Sequence, residues 1–428
     1  MRKFRLALAV LFVAALVVPL TAAAAPVESA STHVYSQNMH PLGDSPRPNP
    51  SSGVFNSDLA FWGTRAYQGT YDGFRIIDIS QPDSPTALID YDECFGNQGD
   101  VIIWNNILVR SWNSANTSAT RTCDGQPVPL GFEGLHVFDV SEPTNPELLG
   151  SVQTLCGSHT ATGVPDVANN RLLVYNSASS GTCPWIDIVE VPLDDPSSAS
   201  LLDVALAGRS CHDTSVILGD ELLAACAGGN GFTVFSVGGP RGGSLTDPLQ
   251  LYTRSVPGVS IAHSTSFSWD GEVLVFGHEP GGGSGARCQV TSAEVDKTLF
   301  FFEADTGADL GRWVLERPQT AQENCTIHNF NIVPTTKRDV LVSGNYQMGI
   351  AVVDFTDPAN PRQIAYADPT PLVPTQLGGD WSTYWYDGLI YESDITRGLI
   401  TWNLSDSAVA GALKLGHLNP QTQEFTIG

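Results

Sequence analysis

Short apolar runs broken by turn residues recur along the whole chain, and the first 40 residues of the pattern define its unit. Asp58 to Trp62, Arg65 to Gly69, Gly73 to Ile79 and Thr86 to Tyr91 read as four strands, separated by Gly63, Asp72, Gly73 and Pro82. A polar residue opens the first run of each unit, at Asp58, Asp100, His159, His212, His263, His328 and Asp380. Further along each unit an apolar residue is followed by a polar one: Ile77-Asp78, Phe138-Asp139, Val189-Glu190, Phe235-Ser236, Phe302-Glu303, Val353-Asp354 and Trp402-Asn403. Seven openings and seven anchors, spaced about 40–50 residues apart, are the signature of units that cannot bury their own apolar faces alone. The pattern predicts an all-β fold, a seven-bladed β-propeller of four-stranded blades over residues 51–428.

A radial array must join its last blade to its first. Residues 37–43 have the look of an outermost strand with no partner before it. An N-terminal strand completing blade seven would remove an open sheet edge. Tail residues from Gly411 onward compete for the same place.

Three anchors are followed by a turn with two prolines, Ser80 to Pro85, Ser141 to Pro146 and Thr356 to Pro361. Proline withholds a backbone donor, so these turns end one strand and begin the next. The segments Phe74 to Ile79, Leu135 to Val140 and Ile350 to Phe355 resemble the LVIVD-repeat family. In blades three, four, five and seven Glu190, Ser236, Glu303 and Asn403 replace the aspartate. The resemblance implies a secreted or surface propeller and brings no catalytic residues with it.

Composition adds a cellular address. Arg2, Lys3 and Arg5 precede an apolar run from Leu6 to Leu20 and a small-residue stretch to Ala25, the layout of a secretory signal peptide over residues 1–24. The run is short for a membrane span, so the expected mature protein begins near Ala25 and is extracellular, with no span after cleavage and no lipid anchor. Asp and Glu total 45 against 21 Lys and Arg, which argues against nucleic acid as a partner. A monomer is expected, whose partner is an extracellular protein, glycan or small ligand.

Eight cysteines in an exported chain read as four disulfides. Cys94, Cys156, Cys211 and Cys325 precede ring residues of their blades, Cys123, Cys183 and Cys288 lie in insertions between second and third strands, and Cys226 lies near the end of a second strand. Both kinds of loop open on one face of the disc. Neighbour pairing then gives Cys94 with Cys123, Cys156 with Cys183, Cys211 with Cys226, and Cys288 with Cys325.

The same face collects the chemistry. Its ring holds His159, His212, His263 and His328 in consecutive blades, and Asp58, Asp100 and Asp380 in the rest. His278, Glu279 and Asp394 fall at the ends of second strands, where they would open toward it as ligand-binding residues. Imidazoles with carboxylates suit a divalent transition metal such as copper or zinc. The bland alternative is that these side chains only satisfy backbone groups between blades. No HExxH spacing, phosphate loop or nucleophile elbow accompanies them. Two functions follow: a binding scaffold with a His- and Asp-ringed channel mouth, or a metal-dependent, copper-like extracellular oxidoreductase. The second is similar in outline to the methanethiol oxidases, propellers whose histidines hold a metal.

Overall fold

The computed structural model describes residues 32–47, 54–178, 181–372 and 377–428. The expected signal segment and its cleavage point after Ala24 lie outside them. Seven antiparallel sheets form the ring. Their inner strands are Asn56–Trp62, Val101–Trp104, Thr160–Asp166, Asp213–Ile217, Ala262–Phe267, Asn329–Ile332 and Asp380–Tyr386. Each lies beside the inner strand of the next blade, and the last lies beside the first.

Why the anchors repeat is visible in the register. In blades one to six the third and fourth strands slip by one residue at the anchor, between Ile76 and Ile77, Val137 and Phe138, Ile188 and Val189, Val234 and Phe235, Phe301 and Phe302, and Val352 and Val353. Such a bulge sharpens the strand's twist, which a blade splayed from a narrow axis requires. Beyond it the anchor carboxylate caps the turn. Asp78 accepts from the amide of Ser80, Asp139 from that of Ser141, and Asp354 from both the amide and the hydroxyl of Thr356.

Blade seven takes its fourth strand from the N-terminus. Met39–Pro46 pairs with Gly398–Leu404 and carries its own slip between Pro41 and Gly43. His33–Tyr35 then extends blade six beside Arg362–Pro369. The tail does something else. His417–Leu418 pairs with Phe61 and Trp62 of blade one, and the Asn419 side chain bonds both the amide and the carbonyl of Ile103 in blade two. Thr422 donates to the carbonyl of Gly163 in blade three, Thr422–Gln423 runs parallel to Val216 and Ile217 of blade four, and Gln423 donates to the carbonyl of Phe267 in blade five. The tail thus crosses the channel and ties together five inner strands, while Gln421 reaches the Asp58 carboxylate.

Apolar packing follows the same geometry. Each of seven clusters joins two adjacent blades, from Phe74 and Ile76 against Val101 and Leu108 round to Tyr384 and Tyr386 against Leu59 and Phe61. The disulfides are Cys94–Cys123, Cys156–Cys183, Cys211–Cys226 and Cys288–Cys325, the same pairs that a shared face implies. Among the described residues no helix is long and apolar enough to cross a membrane.

Candidate metal centre

Inner strands enter the disc at the ring residues, and local irregularity there sets which side chains see the channel. His159 and His212 sit just ahead of their strands, their amides donating to the carbonyls of Ser177 and Ala227. In blades one, five and seven the entry is bulged, between Asn56 and Leu59, Ala262 and Thr265, and Asp380 and Ser382. Bulges re-aim side chains. Asp58 and His263 turn inward by this means, whereas in blade seven Trp381 takes the channel-facing place and Asp380 turns into its own blade.

The result is a cavity of about 300 Å³, lined by His159, His212, His263, His328, Glu279 and Tyr346 and also by Asp58, Asp100, Asp213 and Gln421. The imidazoles form an unbroken arc, with ring centroids 4.3 Å apart for His159 and His212, 4.1 Å for His212 and His263, and 4.4 Å for His263 and His328. His328 donates from Nδ1 to the carbonyl of Trp381 at 2.5 Å, and His159 Nδ1 stands 2.9 Å from Asn113 Oδ1. A carbonyl oxygen only accepts, so Nε2 of both rings keeps its lone pair when neutral. The Glu279 carboxylate spans two adjacent rings, with Oε2 3.8 Å from His263 Nε2 and Oε1 3.7 Å from His328 Nε2. Tyr346 donates its phenol to Oε1 at 2.6 Å.

Electrostatics favour ligand-ready imidazoles. Burial pushes His159 down to about 4 and His328 to about 3, and burial together with neighbouring rings holds His212 and His263 well below the ordinary imidazole range. All four are neutral at pH 7, the form that binds metal. Burial raises Glu279 to about 7, with the Tyr346 bond opposing the rise.

One ligand atom each from His212, His263 and Glu279 lie within 4.8 Å of one another. Ligands about 2.0–2.2 Å from a zinc-like ion stand roughly 3–4 Å apart, so small side-chain movements would close the set. His212 Nδ1 is buried with no hydrogen-bond partner. An unpartnered buried nitrogen is costly, and a ligand that engaged this ring would reduce that cost. The donor set fits a borderline metal such as zinc or copper.

Among the lining acids, Asp58 and Asp100 are paired with each other. Asp58 accepts from Ser382, from Tyr384 at 2.6 Å and from Gln421 Nε2 at 3.2 Å. Asp100 accepts from the amide of Ala161 at 2.5 Å and shares a hydrogen bond with Asp58. Two carboxyl groups bonded to each other hold a proton between them. Burial, then Asp58, raises Asp100 well above the usual range, and the same two causes raise Asp213 to about 8.

Three of the residues singled out from sequence stand outside the cavity. Asp380 bonds Thr383 and is pushed far up by burial and by Glu392. Asp394 is occupied by Thr396 and Arg397, whose guanidinium neutralises it three residues on. His278 is held by the amide of Ser260 and the carbonyl of Val295. Conversely, Tyr346, Asp213, Trp381 and Gln421 line the cavity without having been foreseen. One signal was readable: residues just past the second strand, Tyr71, Asn113, Glu279 and Tyr346, form a second tier behind the ring. Gln421 had none, because the tail lies outside the repeat.

Residues 57–93 and 131–154 match the LVIVD repeat family. The chain carries LVIVD repeats. They cover blade one and the last two strands of blade two, including the turn-capping carboxylates Asp78 and Asp139. Asp354 makes the same LVIVD-like cap in blade six, beyond the matched residues. No curated protein matches the chain. Among solved structures, a putative 6-phosphogluconolactonase from Bacteroides fragilis NCTC 9343 is 12% identical with a TM-score of 0.49, over 82% of this chain and 95% of that one. A likeness so distant carries no argument about function.

Proposed function

We propose that this chain is an extracellular LVIVD propeller that binds one divalent transition metal, zinc- or copper-like, in its channel through His212, His263 and Glu279. His328 and His159 complete the imidazole wall. The observation that carries the reading is the convergence of three donor atoms within 4.8 Å inside a cavity whose imidazoles are neutral. The extracellular address rests on the signal-like N-terminus and on four disulfides.

A second reading, an extracellular metal-dependent oxidoreductase, is favoured by the cavity itself. A purely structural ion sits in a closed ligand shell, whereas this site opens onto space beside the ligands. In either reading the chain's own work is to hold neutral imidazoles in place beside the Glu279 carboxylate.

Equilibrium dialysis of untagged protein against zinc and then copper tests the metal reading. One ion per chain is expected, with loss of stoichiometric binding in His263→Ala and retention of the fold by circular dichroism. A wild-type protein that keeps neither ion would overturn it.

A further inference from the structure

Tyr346 departs from what a core tyrosine needs. It is 3% exposed, yet its backbone is left-handed at φ 56°, a conformation that bulky side chains rarely adopt. Its surroundings hold it there. The amide of Tyr346 donates to the carbonyl of Asp380, and the amide of Asp380 donates back to that of Tyr346, both at 2.9 Å. Two glycines admit the ring and turn: a Cβ on Gly283 would fall 2.1 Å from the phenol oxygen, and one on Gly379 would fall 2.2 Å from the Tyr346 carbonyl. The ring packs on His328 with centroids 4.4 Å apart. An observed backbone outlier held by its surroundings points to function at the group it aims. What this one aims is a phenol at Glu279 Oε1, 2.6 Å away.

Resting on the metal reading above, we infer that Tyr346 is a positioning residue: it occupies Glu279 Oε1 and leaves Oε2, on the His263 side, as the carboxylate's one ligand atom, thereby setting which ions the site accepts. A carboxylate held to a single oxygen beside two imidazoles suits zinc or copper. A carboxylate free to use both oxygens suits larger, harder cations such as calcium, which take six to eight oxygens. Partners that orient a ligand in this way typically change metal affinity 10–100-fold when removed.

The test compares full-length mature wild type with Tyr346→Phe, which keeps the ring and loses only the hydroxyl, and Tyr346→Asn, which suits the left-handed backbone and cannot reach Glu279. Zinc affinity is measured by competition, calcium affinity by calorimetry, and coordination by the visible absorption of the cobalt-loaded protein. Both variants are expected to bind zinc about 10–100-fold more weakly, to gain in calcium affinity relative to zinc, and to show a weaker cobalt band as coordination number rises. A purely structural role would alter the melting temperature and leave the cobalt band alone. Unchanged zinc affinity and an unchanged band in both variants overturn the role of Tyr346 while leaving the metal site standing. A wild type without metal overturns both.

Discussion

His136 packs among Trp112, Phe132 and Phe138, with centroids 5.3, 4.9 and 6.4 Å away, and its Nδ1 is buried without a partner. Burial, with Arg110 adding to it, pushes the imidazole down to about 3. Its unfolded value is near 6.5, so the unfolded chain takes up the proton first. The contribution to stability is complete above about pH 6.5 and is lost as pH falls from there toward 3, at about 1.4 kcal/mol per pH unit. The ring histidines act in the same direction. Glu279, raised in the folded protein, acts oppositely and loses stability as pH rises toward 7. Urea denaturation at pH 6.5 and 5 should therefore show a marked loss of stability on acidification. His136→Phe, which offers no proton site, should shrink that difference by about 2 kcal/mol. An unchanged difference would mean that His136 is not held neutral by its burial. At this scale the sequence was legible where residues share the repeat's register: the four ring histidines, Asp58 and Asp100 face the cavity together. It was not legible for Asp380, because the entry bulge that takes in Asp58 in blade one and His263 in blade five takes in Trp381, one residue further on, in blade seven, and leaves no mark in composition.

Elements owe their shape to the anchors. The bulge before Asp78, Asp139 and Asp354 twists the blade, and each carboxylate then satisfies the first amide of the turn. Asp354 does more than Asp78, since it also bonds Thr356 Oγ1 and pairs with Arg338 and Arg362. Arg338 is half-buried and Arg362 exposed, so solvent screens much of the pairing and most of the difference comes from the extra hydrogen bond to a buried carboxylate. Asp78→Ala should cost about 0.5–1 kcal/mol and Asp354→Ala about 1–2 kcal/mol, read from urea midpoints at constant slope. Equal losses would show that the cap alone matters. Blade number, strand order and disulfide partners all follow from the repeat, which is why they were readable. The closing strand was only half readable: residues 37–43 have the look of an outermost strand, but the tail competed for the same place until the pairing of Met39–Pro46 with Gly398–Leu404 decided it.

For the whole molecule, two termini solve two different problems. Met39–Pro46 closes the ring and removes a sheet edge, while residues 417–423 cross the channel and bond to five inner strands. Sequence could not assign the tail, since its partners are backbone groups and the Asp58 carboxylate in distant blades, contacted by Asn419, Gln421, Thr422 and Gln423 without any periodic pattern. Deleting 417–428 should leave a folded, closed propeller with a lower melting temperature and faster amide exchange in the inner strands of blades one to five. Deleting 32–46 should expose the third strand of blade seven, and aggregation is the expected outcome. A tail deletion that aggregates while the N-terminal deletion stays monomeric would reverse these assignments.

The central claim is that His212, His263 and Glu279 share one metal ion. Its most direct test is anomalous X-ray diffraction at the zinc and copper absorption edges from crystals of the full mature protein equilibrated with each metal. The account predicts one strong peak inside the cavity, about 2.0–2.2 Å from a nitrogen of each histidine and an oxygen of Glu279. A fully loaded crystal with no peak there, or with its peak only at the surface, would contradict it.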